Sequence, residues 1–74
     1  MITFEIDSSN EGIELYIDAN GINDLIRYLN FIKNNDDSYH LLIGNELDDQ
    51  LYQVDNKLVK HVKLIYLNDE DKIT

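Results

Sequence analysis

The chain has no cysteine, only three glycines and only six basic residues in 74 positions. Without cysteine no disulfide can staple the fold and no thiolate cluster can hold zinc, a composition that suits a reducing cytosol. Gly12, Gly21 and Gly44 stand alone, so they read as turn residues and do not build a phosphate cradle. No HExxH run, nucleophile elbow or phosphate loop is present either. No apolar run approaches the roughly 20 residues that cross a bilayer, and no basic segment followed by an apolar one opens the chain. These absences lead to the expectation of a cytoplasmic protein with no membrane partner, no cofactor and no bound metal. The scarcity of base speaks against nucleic acid. Lys57, Lys60 and Lys63 make one short basic patch, but the whole-chain field opposes a polyanion.

What the chain has is acid. Fifteen Asp and Glu against six Lys and Arg leave a net charge of -9, while 43% of the residues are hydrophobic and five are tyrosine. A disordered acidic segment would be poor in branched and aromatic side chains, so the acid belongs to a folded surface. Such a field repels polyanions and draws in basic proteins. The length fits a single domain, residues 1–74, whose core is small enough that dimerisation would be an ordinary remedy.

The apolar spacing changes twice along the chain. Ile2, Phe4 and Ile6 alternate with Thr3, Glu5 and Asp7, then Ile13, Leu15 and Ile17 alternate with Glu14, Tyr16 and Asp18. Residues 8–12 between them supply turn chemistry, so the spacing predicts a hairpin with one greasy and one acidic face. From Ile22 the period becomes helical, with Ile22, Leu25, Ile26, Leu29 and Ile32 on one stripe flanked by Tyr28 and Phe31. Asp18 or Asn20 can cap this helix, and residues 34–37 end it. Alternation returns at Tyr39–Ile43 and again at Leu58–Leu67, across a polar connection running from Gly44 to Asn56. The expected fold is α+β: a two-layer ββαββ arrangement, with a four-stranded, largely antiparallel sheet and one helix packed on one face. An acidic frayed tail is expected from about residue 68.

The acidic face opposite the helix should carry Glu5, Asp7, Glu14 and Asp18, with His40 and His61 sharing it. Leu42, Ile65 and Leu67 would add apolar area there, enough to suggest a homodimer as an alternative role. Long polar loops are often the working ones, which singles out Glu46, Asp48 and Asp49. Tyr16, Tyr39 and Tyr52 are candidate anchors for a partner, since tyrosine couples contact area with a hydroxyl. His40 and His61, with Glu46 or Glu5, could form a hydrogen-bonded cluster, a weak metal site or an acid–base pair; ordinary surface histidines are the simpler expectation. The Asp pairs lack calcium-loop spacing, and a single small sheet has little volume for a glycosidase pocket. No catalytic residue is assigned, and the chain is not expected to be an enzyme.

The order and spacing of several segments carry a resemblance. They are Glu14-Leu15-Tyr16 in the acidic hairpin, Gly21-Ile22-Asn23-Asp24-Leu25 opening the helix, Tyr39-His40-Leu41-Leu42, Gly44-Asn45-Glu46-Leu47, and residues 59–66 beginning Val59-Lys60-His61. Together they resemble immunity protein 32, a family of small bacterial proteins from polymorphic-toxin systems. The resemblance implies a protein that binds a cognate toxin, often a nuclease, and neutralises it inside the cell that makes both. A basic toxin surface would then meet Glu5, Asp7, Glu14, Tyr16, Asp18, Tyr39, His40, Glu46, Asp48, Asp49, Tyr52 and His61.

Overall fold

In the computed structural model, residues 1–68 are described. Strands β1 (Ile2–Ile6) and β2 (Ile13–Ile17) form the expected antiparallel hairpin. Asp7 closes its turn by accepting from the Ser9 hydroxyl at 2.6 Å and from the backbone N–H groups of Ser9 and Glu11. The helix α1 (Ala19–Asn35) follows at once. Asp18 is its N-cap, accepting from the Gly21 N–H at 2.8 Å, and thereby satisfies one of the orphan donors of the first turn. At the other end Asp36 takes a left-handed conformation (φ 49°), and the N–H groups of Asp36 and Asp37 both return to the Ile32 carbonyl. That is a C-terminal cap of the Schellman kind, built on Asp instead of Gly.

Strand β3 (Ser38–Leu42) is next, followed after the long connection by two short pieces, β4 (Lys57–Leu58) and β5 (His61–Ile65). The α+β class holds, with one helix and antiparallel strands, but the single four-stranded sheet does not. Among the described residues there are two sheets, one ordered β2-β1-β4 and the other β3-β5. The expected strand over Leu58–Leu67 is broken at Val59 and Lys60, because its neighbours are only five residues long. A ten-residue strand would leave half its backbone groups without a ladder partner. The chain instead gives two residues to β1 and five to β3. The hand-over is hydrogen-bonded on both sides: Val59 N–H donates to the Phe4 carbonyl, and the Lys60 carbonyl accepts from Ile43. The tail expected from about residue 68 lies outside the described residues, apart from Asn68.

The core is thin. Ile2, Leu41 and Leu47 form its centre, with Phe4, Ile17, Leu25, Tyr28, Tyr39, Ile43, Val62 and Leu64 packed around them. The helix turns in a different line from the expected stripe: Gly21 and Ile32 are buried and Leu25 and Tyr28 half-buried, whereas Ile22, Ile26 and Leu29 are exposed. The reason lies at both ends of the helix. Gly21 sits against the Met1 carbonyl and Ile17, where a Cβ would have no room. Tyr28 stacks on Tyr39 with ring centroids 4.8 Å apart, and Phe31 meets Tyr39 edge-on at 5.5 Å. A glycine and two aromatics thus set the rotation, against the count of aliphatic residues. The radius of gyration is 13.7 Å, above the about 11 Å usual for a chain of this length.

Candidate functional site: an acidic concavity beside a strapped sheet

The sheet face away from the helix is not an open acidic surface. Thr3 and Glu5 are both fully buried there, each 0% exposed, beneath the connection between Asp48 and Asn56. Glu5 is the fastening point. Its carboxylate accepts from Tyr52 N–H at 2.6 Å, from Gln53 N–H at 3.3 Å and from the Asn56 side-chain amide at 2.9 Å. Burial pushes its pKa up, but those three hydrogen bonds together pull it below the ordinary 4.5. Asn56 also donates to Glu14 at 2.7 Å, so one amide ties two cross-strand carboxylates. Without that donor, like charges opposite one another on β1 and β2 would repel. The Tyr52 ring stacks on Tyr16 at 5.5 Å, completing the strap. Among the described residues Thr3 Oγ1 has no hydrogen-bond partner.

This arrangement reassigns several residues expected to face a partner. Glu5 presents nothing outward, because the strap needs its charge. Asp7 is spent on the hairpin turn, and its pKa is lowered first by the Ser9 hydroxyl, against the effect of burial. Asp18 is a cap that also accepts from the Met1 α-amino group at 2.5 Å; that contact and the Gly21 N–H hold its carboxyl below the usual range. Tyr16 donates to Glu14 at 2.7 Å, and chiefly for that reason its phenol is pushed up to about 12. Tyr39 lies half-buried inside the aromatic stack, its hydroxyl 3.3 Å from Glu46; burial, then Glu46, raises its pKa. Tyr52 keeps an exposed edge and donates to Asp48 at 3.2 Å; burial and then Asp48 raise it likewise.

The two histidines do come together. His40 Nδ1 and His61 Nε2 are 2.8 Å apart on the exposed face of β3 and β5, with ring centroids 5.0 Å apart and planes within 17°. The centroid separation is about the N···N distance plus two ring radii. The nitrogens therefore point at each other along one hydrogen bond instead of converging on a third atom. Glu46 takes no part: it accepts from Leu42 N–H at 3.2 Å and closes its own turn. Gly44 makes that turn possible by adopting φ +86°. Among the described residues no group of three or more His, Asp or Glu is placed to hold a metal ion.

What remains open is a concavity of about 480 Å³ lined by Met1, Asp24, Gly44, Asn45, Glu46, Leu47, Asp48 and Asp49. The turn at 44–47 forms one wall and is rigidly held: Gly44 N–H donates to Leu47, Leu47 N–H to Leu42, and Asp48 N–H to Ile2. Buried Leu47 anchors it to the core. Helix α1 supplies Asp24, which Arg27 neutralises in part through an exposed 2.7 Å pair. Asp49 is exposed, and among the described residues its carboxylate has no partner. Four carboxylates thus border one hollow, and among the described residues no Lys, Arg or His lines it. Glu46, Asp48 and Asp49 were expected to work from this loop. Asp24 was legible only as part of the segment that opens the helix, and Asn56 carried no signal at all, since its role depends on two strands more than 40 residues away.

Against family models, curated proteins and solved structures the chain shows no match.

Among the described residues no helix is long and apolar enough to cross a membrane. The chemistry available in the hollow is electrostatic: it can accept a cationic group through charge-assisted hydrogen bonds.

Proposed function

We propose that this protein is an inhibitor of the immunity type, acting in the cytoplasm by binding a cognate basic toxin, such as a nuclease, and masking its working surface. The reading gives the protein no catalytic role, no cofactor, and no nucleic acid or membrane partner. One observation carries it: the acidic hollow bordered by Asp24 of the helix and by Glu46, Asp48 and Asp49 on and just after a firmly held turn. A lysine or arginine entering it would replace water by fixed carboxylates without any rearrangement of the loop. The net charge of -9 supports the same reading, since it would speed encounter with a basic protein and select against acidic ones. Tyr52, exposed and hydrogen-bonded to Asp48, would add contact area beside it.

The test is capture from the producing cell at moderate salt, with bound proteins quantified by mass spectrometry. A stoichiometric basic partner is expected, and its capture should fall at least tenfold for an Asp48→Lys, Asp49→Lys double variant. Its association rate should drop as salt rises. Recovery of the bait alone, where a candidate toxin is demonstrably expressed, or a partner indifferent to both substitutions, would overturn the proposal.

A further inference from the structure

Among the described residues, strand β2 closes the order β2-β1-β4 at one end, and one of its edges has no neighbour. Which backbone groups lie on that edge follows from the ladder. Asp7 N–H donates to Gly12 and Asp18 N–H to Met1, and these pairs belong to the same register as Glu5↔Glu14 and Thr3↔Tyr16. Antiparallel ladders alternate between bonded and non-bonded pairs. Glu14 and Tyr16 therefore point their N–H and C=O groups into the sheet. Ile13, Leu15 and Ile17 point theirs out.

Natural edges are usually guarded by lysine, proline, a bulge or a covering loop. Among the described residues this one has none of them. It also exposes apolar side chains on the helix face, with Ile13 67% and Leu15 42% exposed. The helix adds to the same layer. Phe31 leans on Tyr39 of β3, so the opposite flank, carrying exposed Ile22, Ile26 and Leu29, looks toward the β2 side of the molecule.

We infer that the open edge of β2 pairs with β2 of a second copy, antiparallel and centred on Leu15. In that register Leu15 opposes Leu15, and Ile13 opposes Ile17. These are the residues with outward backbone groups, so each pair exchanges two reciprocal hydrogen bonds. The charge pattern fits a twin. Glu14, the only charged residue of β2, falls opposite Tyr16, whose hydroxyl already serves a Glu14 carboxylate, and Asp18 falls opposite Gly12. No carboxylate meets a carboxylate, although each copy carries -9. A twofold axis midway between the two Leu15 residues, normal to the sheet, keeps both helices on one face and turns their Ile22, Ile26 and Leu29 flanks toward each other. The contact is isologous and closes at two copies.

Sedimentation equilibrium of the full chain should show a mass that rises from one chain to two with concentration. Higher salt should strengthen association, because it screens the repulsion between like-charged copies. Amide exchange supplies the sharper readout. In the dimer Ile13, Leu15 and Ile17 should be protected as strongly as Glu14 and Tyr16, and on dilution they should lose at least tenfold in protection while Glu14 and Tyr16 keep theirs. Ile13→Pro removes an outward N–H and no internal bond, so it should leave a folded monomer. A single-chain mass at every concentration, or fast exchange at Leu15 in the most concentrated sample, would overturn the inference. So would a dimer that survives Ile13→Pro and is lost in Leu42→Lys, which would move the contact to the outer face of β3 and β5.

Discussion

Replacing Gly21 with alanine should destabilise the protein, although the substitution lies inside a helix and the usual expectation is the reverse. In an exposed helix interior, alanine is worth about 1 kcal/mol over glycine. Here the new Cβ would overlap the Met1 carbonyl and stand 2.8 Å from Ile17 Cγ1. The first obstacle is backbone that already accepts from Asp18 N–H, so relief requires β1 or the first helical turn to shift. Overpacking of this kind costs about 1–3 kcal/mol, and an unyielding backbone neighbour puts the cost near the top of that range. The net loss is about 2 kcal/mol after the propensity gain is offset. For a domain this small that corresponds to a melting temperature lower by roughly 8–16 °C. Thermal and urea unfolding followed by circular dichroism would measure it, with Asn30→Ala, an exposed position on the same helix, as a control expected to gain a few tenths of a kcal/mol. A Gly21→Ala protein as stable as the parent would refute the argument that this contact sets the helix rotation.

Two further outcomes follow from the strap. Because Glu5 has its pKa lowered in the fold, the stability it contributes is complete above its ordinary 4.5 and drains away as pH falls through the lowered value. Glu5→Gln should therefore lower the urea midpoint at neutral pH and reduce its further fall as pH drops from neutral to below 4.5; an unchanged fall would remove Glu5 as the fastening point. Tyr16, held at about 12 chiefly by Glu14, is neutral in the fold to higher pH than in the unfolded chain. Its contribution is present below 10.0 and lost as pH rises through about 12. Glu14→Gln should bring the phenol back toward 10.0, read from phenolate absorbance, and a phenol still near 12 would assign the shift to burial.

Much of the architecture could be read from local spacing. The hairpin spans Ile2–Ile6 and Ile13–Ile17 as the alternation requires, and the inward and outward residues of β3 and β5 match their period of two. The helix exists where its period begins, but the face it buries depends on Gly21 meeting Met1 and on Tyr28 meeting Tyr39, neither of which periodicity registers. The split into two sheets follows from the lengths of neighbouring strands, a property of the pairing and not of residues 58–67 themselves. At the site, Glu46, Asp48 and Asp49 were visible because acid in a long loop is conspicuous. Glu5 was misplaced for the same reason in reverse: alternation puts it on the polar face and says nothing about whether another segment later lies across it.

The fastening of Glu5 also has a consequence in time. Its amide partner Asn56 is 51 residues further along the chain, and the second neighbour of β1, β4, lies just beyond it. During synthesis the hairpin and helix can form from local contacts, yet β1 must wait with one edge bare and Glu5 unshielded until that distant segment arrives. Non-local closure of this sort slows folding and prolongs exposure to wrong partners. The nascent protein is therefore most vulnerable to misassociation and proteolysis after its helix has formed and before its last strand has docked, an interval whose length is set by translation as much as by the fold.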